Sequence, residues 1–375
     1  MRSRCHAVSL LFGWLGLALL PAAASRAQDN FARVEALSSH TDSVLKKYNI
    51  PGASIAVFRE FEIEWARGFG VANADTKEPV DTLTLFQAAS ISKPVAALAV
   101  MRLVREGRLD LDKNVNEYLT SWKLPENELT KVTPVTLRQI LSHTAGLNVG
   151  GFKGYAEGVP VPTVPQLLDG KPPANSEAVR VTMPPGARFE YSGGGTTIMQ
   201  LLVTDVVKMP FAEIVRRFSI EPAGMRFSTY EQPLPARLMP FASAGHEKGK
   251  VIAGERHVYP ELAAAGLWTT ASDLARFAVA IQKARLGTNP ALLPADLANL
   301  MTTPVLLDSF GLGLELFRKA DAERRFFGHT GGNAGYRCWL LATRTGGNGV
   351  VILTNGDEWN AVSEIALKIV AEYGW

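Results

Sequence analysis

Ser90-Ile91-Ser92-Lys93-Pro94-Val95-Ala96-Ala97-Leu98-Ala99-Val100-Met101-Arg102-Leu103-Val104 is the stretch on which the reading of this 375-residue chain turns. Nine of the ten residues from Val95 to Val104 are apolar, so the pattern predicts a helix buried on nearly every side. Pro94 lacks an N–H and belongs in a first turn, which fixes where the helix begins and sets Ser90 at the positive end of its dipole. Residues three apart share a face, so Ser90 Oγ and Lys93 Nζ can meet while Ser92 points elsewhere. Ser90 is therefore the candidate nucleophile, and Lys93, held neutral in a water-poor pocket, is a candidate base. Two points stand against this. Ser-x-x-Lys arises readily by chance at a solvated helix start, and a residue before proline is pushed away from the α region. A lysine at the mouth of a buried helix is nevertheless costly unless it has a partner or a task.

Working outward, Ala53–Arg59 and Ile63–Phe69 read as an antiparallel strand pair, and Tyr336–Thr343 and Gly349–Thr354 as two more strands across a Gly346-Gly347 turn. Helical periodicity covers Phe31–Tyr48 and Ala361–Tyr373. Between these ends helix signals dominate: Thr136 caps Leu137–His143, and Ser272 caps Asp273–Arg285. Sheet segments at both termini predict an α/β lobe of about 28–85 and 310–375, interrupted by a mostly helical lobe of about 86–309. Residues Gly150–Pro185 are dense in Gly and Pro and read as a long surface excursion near the site.

Residues 1–27 read as an export leader: Arg2 and Arg4, an apolar run from Val8 to Leu20, and small residues suited to cleavage after Ala24 or Ala27. The expected mature protein is periplasmic or secreted, without a transmembrane segment. Removing the three arginines of the leader leaves 36 basic against 36 acidic residues, so no electrostatic footprint for nucleic acid remains. Cys5 leaves with it, and Cys338 stays alone, which rules out an internal disulfide in the mature chain. The histidines are scattered without metal-ligand spacing, so neither a metal nor a cofactor is expected. Gly193-Gly194-Gly195 lacks the Lys-Ser/Thr of a phosphate loop. Oligomeric state is left open.

Two further motifs stand in order along the chain, Tyr191-Ser192-Gly193 and His329-Thr330-Gly331. With Ser90 and Lys93 they resemble the signature elements of the serine β-lactamase and penicillin-binding-protein superfamily, in the branch of class C β-lactamases, DD-carboxypeptidases, D-aminopeptidases and β-lactamase-like esterases. Leu141-Ser142-His143-Thr144-Ala145-Gly146-Leu147 and the phrase from Ala264 to Leu274 agree with it. The resemblance implies the β-lactamase/transpeptidase-like fold, an antiparallel sheet flanked by helices with the helical lobe inserted. It implies catalysis through a Ser90 acyl-enzyme, with Lys93 or Tyr191 taking the serine proton. The backbone N–H groups of Ser90 and Gly332 would form the oxyanion hole, and His329, Thr330 and Gly331 would line the substrate. The expected substrates are small esters, amides or D-amino-acid peptides.

Two departures narrow this expectation. Gly193 stands where the family usually has asparagine, and a mostly neutral His329 stands where class C enzymes carry lysine, which makes a weaker anchor for a carboxylate. Both favour esterase or peptidase chemistry. The alternatives are a class C-like β-lactamase, or a non-catalytic relative that binds peptide or peptidoglycan. His143 and Ser192 are expected to be structural.

Overall fold

A computed structural model of the chain describes residues 19–306, 309–318 and 325–375. Its centre is a six-stranded antiparallel sheet built from β1 (Gly52–Arg59), β2 (Glu62–Gly70), β3 (Glu315–Arg318), β4 (Arg325–Asn333), β5 (Tyr336–Thr343) and β6 (Gly349–Thr354), in the order β2-β1-β6-β5-β4-β3. Strands from the two ends of the sequence meet where β1 pairs with β6, Ile55 opposite Ile352.

The central strands read as unbroken apolar runs because both faces of the sheet are covered. Ile55 and Val57 of β1, with Val350 and Ile352 of β6, face α1 (Leu19–Lys47) and α5 (Trp359–Tyr373), where they pack with Leu37, Val44, Ile365 and Ile369. The alternate residues Ala56, Phe58, Val351 and Leu353 face the other way. They join a hydrophobic cluster that continues through α2 (Ser92–Arg105), α3 (Gly193–Val207) and α4 (Ala271–Arg285). Sheet face and helical segments thus share one core on this side.

The first 18 residues of the expected leader lie outside the described residues, and α1 begins at Leu19. Two other expectations need correction. The cap of α4 is Thr270, extended at φ −104° and ψ 159°, and its side chain accepts from Asp273 N at 3.2 Å. Ser272, two residues on, already lies inside the helix. The segment 150–185 is no simple surface excursion. Tyr155 and Val258 exchange backbone hydrogen bonds of 2.8 and 2.7 Å, a short helix forms over Val164–Asp169, and Leu167, Leu168 and Val179 are fully buried. Among the described residues no helix is long and apolar enough to cross a membrane.

Candidate active site

A single 3₁₀ turn, Ala89–Ile91, leads directly into α2 and holds Ser90 just ahead of the first α-helical turn. Lys93 is helical despite preceding Pro94, because its neighbours fix it from two sides. Its Nζ donates to Ser90 Oγ at 2.9 Å and to the carbonyl of Ala264 at 2.9 Å. Ser92 does point elsewhere, since its hydroxyl donates to Ala89 O and accepts from Leu267 N. The Ala264–Leu274 phrase is therefore the shelf on which the serine turn and the lysine rest.

Lys93 is only 4% exposed, and burial, with no carboxylate to offset it, draws its pKa down to about 7. Tyr191 borders the same cleft as Ser90, and burial pushes its phenol pKa upward while Ser90 pulls it the other way. Lys93 Nζ lies 5.1 Å from the centre of the Tyr191 ring. Lys93 and Tyr191, 98 residues apart in the sequence, thus come together beside Ser90.

Tyr191 is held by the helix cap at its C-terminal side and by a ring packed beneath it. Ser192 caps α3, its hydroxyl accepting from Gly195 N at 2.9 Å and donating to Asn148 O at 2.7 Å. His143, buried and at φ +55°, stacks on Tyr191 with ring centres 4.3 Å apart. Its Nδ1 accepts from Ser192 N at 3.1 Å, which sets the neutral tautomer with the proton on Nε2. Burial and the nearby Lys93 hold its pKa well below the ordinary range. His143 is a positioning residue for the tyrosine.

The third motif lies on β4, which the sequence did not mark as a strand. Because β3 pairs only with Arg325–Gly328, residues 329–333 have no strand on that side and face the serine turn instead. A Cβ at Gly331 would fall 2.3 Å from the carbonyl oxygen of Ala88, so glycine lets β4 lie against the residues that lead to Ser90. This brings Gly331 and Gly332 into the wall of the same cleft as Ser90 and Tyr191.

His329 Nδ1 bonds to Thr330 O at 2.5 Å, which places the ring proton on Nδ1 and leaves Nε2, buried and unpartnered, as an acceptor. Burial and Lys93 draw its pKa to about 3. The ring is neutral and offers no cation to a carboxylate. Glu315, a carboxyl on edge strand β3, lines the cleft with Thr330, and burial raises its pKa against the opposing pull of Thr330. Sequence reasoning missed Glu315, since no motif marks it.

The departure at Gly193 has a physical counterpart. A Cβ there would stand 3.0 Å from Phe152 Cε2, so the phenyl ring supplied by the segment 150–185 fills the space a longer side chain would need. Sequence reasoning missed Phe152 as well. The cleft holds about 1030 Å³. Phe152, Phe189, Tyr191 and Phe310 give it an aromatic side, and Lys153, Glu247, Arg337 and Trp359 bring charge and a further ring. Among the described residues no group of His, Cys, Asp and Glu could hold a metal ion.

Comparison with known proteins agrees with this architecture. The family model described as Beta-lactamase matches residues 35–374, so the chain belongs to the β-lactamase family. Esterase EstB of Burkholderia gladioli is 28% identical over 303 residues, which cover 73% of this chain and 74% of that protein. Protein flp of Staphylococcus aureus (strain MW2) is 25% identical over 54% of this chain, and the match spans only 39% of its length. The octameric penicillin-binding protein homologue from Pyrococcus abyssi superposes with a TM-score of 0.75 over 91% of this chain and 77% of its own, at 22% identity, a likeness of fold.

Proposed function

We infer that the protein is a serine hydrolase that cleaves a small ester or amide, of the esterase or D-amino-acid peptidase type, through an acyl-enzyme on Ser90. The observation that carries this reading is the 2.9 Å contact from a buried Lys93 amine, with no carboxylate partner, to Ser90 Oγ, with Tyr191 on the wall of the same cleft. Near neutral pH about half of the lysine is free amine, able to take the serine proton as Oγ attacks the carbonyl carbon. Burial keeps Tyr191 in its protonated form, which suits it to pass a proton to the leaving oxygen or nitrogen while the Lys93 ammonium restores the phenol. Lys93, again a free amine, takes a proton from the water that attacks the acyl-enzyme and returns it to Ser90 Oγ as the acid departs. The N–H groups of Ser90 and Gly332 receive the oxyanion, a role supported by the approach of β4 to the serine turn.

Ester and peptide bonds are preferred over β-lactams because His329 presents no positive charge and Phe152 takes the place of a side-chain amide at position 193. The similarity to a protein named an esterase points the same way. The leader read at residues 1–27 supports export. Ser90→Ala should lower p-nitrophenyl ester turnover by about a thousandfold or more. An unchanged rate in that variant would remove Ser90 from the mechanism.

A further inference from the structure

At the opposite end of α2 from Ser90, three arginines converge on one concavity. Arg102 comes from the last turn of α2, Arg108 from the turn beyond it, and Arg217 from the helical turn Arg216–Ile220. With Glu106, Met209 and Phe218 they line a pocket of about 460 Å³. The Arg108 and Arg217 guanidinium groups lie 5.9 and 5.7 Å from the Phe218 ring. Glu106 forms its one ion pair among the described residues with Arg108, at 3.9 Å, too far for a hydrogen bond, and touches Arg102 only through its field. Among the described residues no carboxylate pairs with Arg102 or Arg217, and Nε and Nη1 of Arg102 are buried without a partner. Arg105 adds a further positive charge nearby while its own guanidinium is bound to the carbonyls of Ala291 and Leu292.

Arginines in a last turn ordinarily complement the negative end of the helix dipole. That accounts for Arg102 and Arg105, but not for Arg108 and Arg217, which lie outside α2 and share the pocket. Like charges gathered with one distant acid repel one another, and a guest anion would relieve that repulsion. Guanidinium forks match tetrahedral oxyanions in bidentate geometry. We propose that this concavity binds a multiply charged oxyanion of the phosphoryl class. The apolar flank of Met209 and Phe218 suits either a soluble phosphate or a lipid headgroup.

The full-length protein is titrated with inorganic pyrophosphate by calorimetry at low ionic strength, and separately sedimented with vesicles of phosphatidic acid in phosphatidylcholine or of phosphatidylcholine alone. One saturable site is expected, weakened about tenfold or more in R102Q/R217Q, with ester turnover and melting temperature unchanged. Binding to pyrophosphate identifies a soluble source, and binding only to the anionic vesicles identifies a headgroup. Should the double variant fail to fold, the exposed R217Q alone is expected to lose several-fold in affinity. Absence of saturable binding in both arms overturns the site, as does wild-type affinity in the folded variant.

Discussion

At the residue scale, the site is governed by desolvation. Lys93 has no anionic partner, so burial acts on it unopposed and its pKa falls from 10.5 to about 7. The same burial drives His329 to about 3 and His143 well below its ordinary value, so neither ring changes charge near neutrality. In the proposed mechanism the active form requires the free amine, because an ammonium has no lone pair with which to take the serine proton. The free-enzyme profile of kcat/KM should therefore fall about tenfold per pH unit below about 7 and level off above it. Glu261, a fully buried carboxyl with neither oxygen bonded, is raised to about 8 and is a second group whose titration falls close to that of Lys93. Glu261→Gln should leave the acid limb where it is. A profile that stays flat down to pH 5 in the parent enzyme, or a limb that disappears with Glu261, would take the base role from Lys93.

At the element scale, two glycines decide how closely the parts of the cleft approach. Gly331→Ala places a methyl 2.3 Å from Ala88 O, and because that neighbour is backbone, β4 must retreat from the serine turn. A loss of about a hundredfold in kcat/KM is expected, comparable to losing one oxyanion donor. Gly193→Asn instead presses on the movable Phe152 ring, 3.0 Å from the new Cβ, as well as on the carbonyl oxygen of Gly150 at 3.1 Å. Turnover of apolar esters should fall several-fold in that variant and recover in part when Phe152→Ala is added, since the two side chains compete for one volume while the backbone contact stays. Equal losses in the single and double variants would show that the ring and the side chain at position 193 do not compete.

The elements also show what the sequence could disclose. The apolar strands β1, β5 and β6 were legible because both their faces are buried, and β2 because it comes after β1 across a two-residue turn. Strand β4 was not, because its glycines are poor strand formers: they are there because neighbours leave no room, as at Gly328, where a Cβ would lie 1.8 Å from Leu340 O. Helix α3 was hidden for two reasons, its opening Gly193-Gly194-Gly195 and a burial so complete that no amphipathic period remains. In the site, Ser90, Lys93 and Tyr191 were legible because fixed spacing on one helix and a short motif carry them. Phe152, Glu315 and the stacking of His143 were not, because only the tertiary fold brings them to the cleft.

At the scale of the whole molecule, the cleft is a meeting of distant segments. The turn before α2 supplies Ser90, the start of α3 supplies Tyr191, β4 supplies its glycines, and the segment 150–185 adds Phe152 and Lys153. On the proposed function, the selectivity of the assembly follows from the groups it exposes: an aromatic side, no cation at His329, and no amide at position 193. A purified-enzyme panel of p-nitrophenyl esters, D-Ala-D-Ala peptides and cephalosporins should therefore rank in that order of kcat/KM, with the cephalosporin at least about a hundredfold below the best ester. Apolar acyl groups should outperform charged ones, because burying an unpaired charge against Phe189 and Phe310 is costly. Since Ser90 and Lys93 remain in place for attack on a strained amide, excess penicillin should still leave a slow covalent adduct visible by intact mass. Cephalosporin turnover matching that of the best ester would instead mean that anchoring of the substrate carboxylate comes from Arg337 or Lys153 rather than from the third motif, and would return the enzyme to the β-lactamase side of its family.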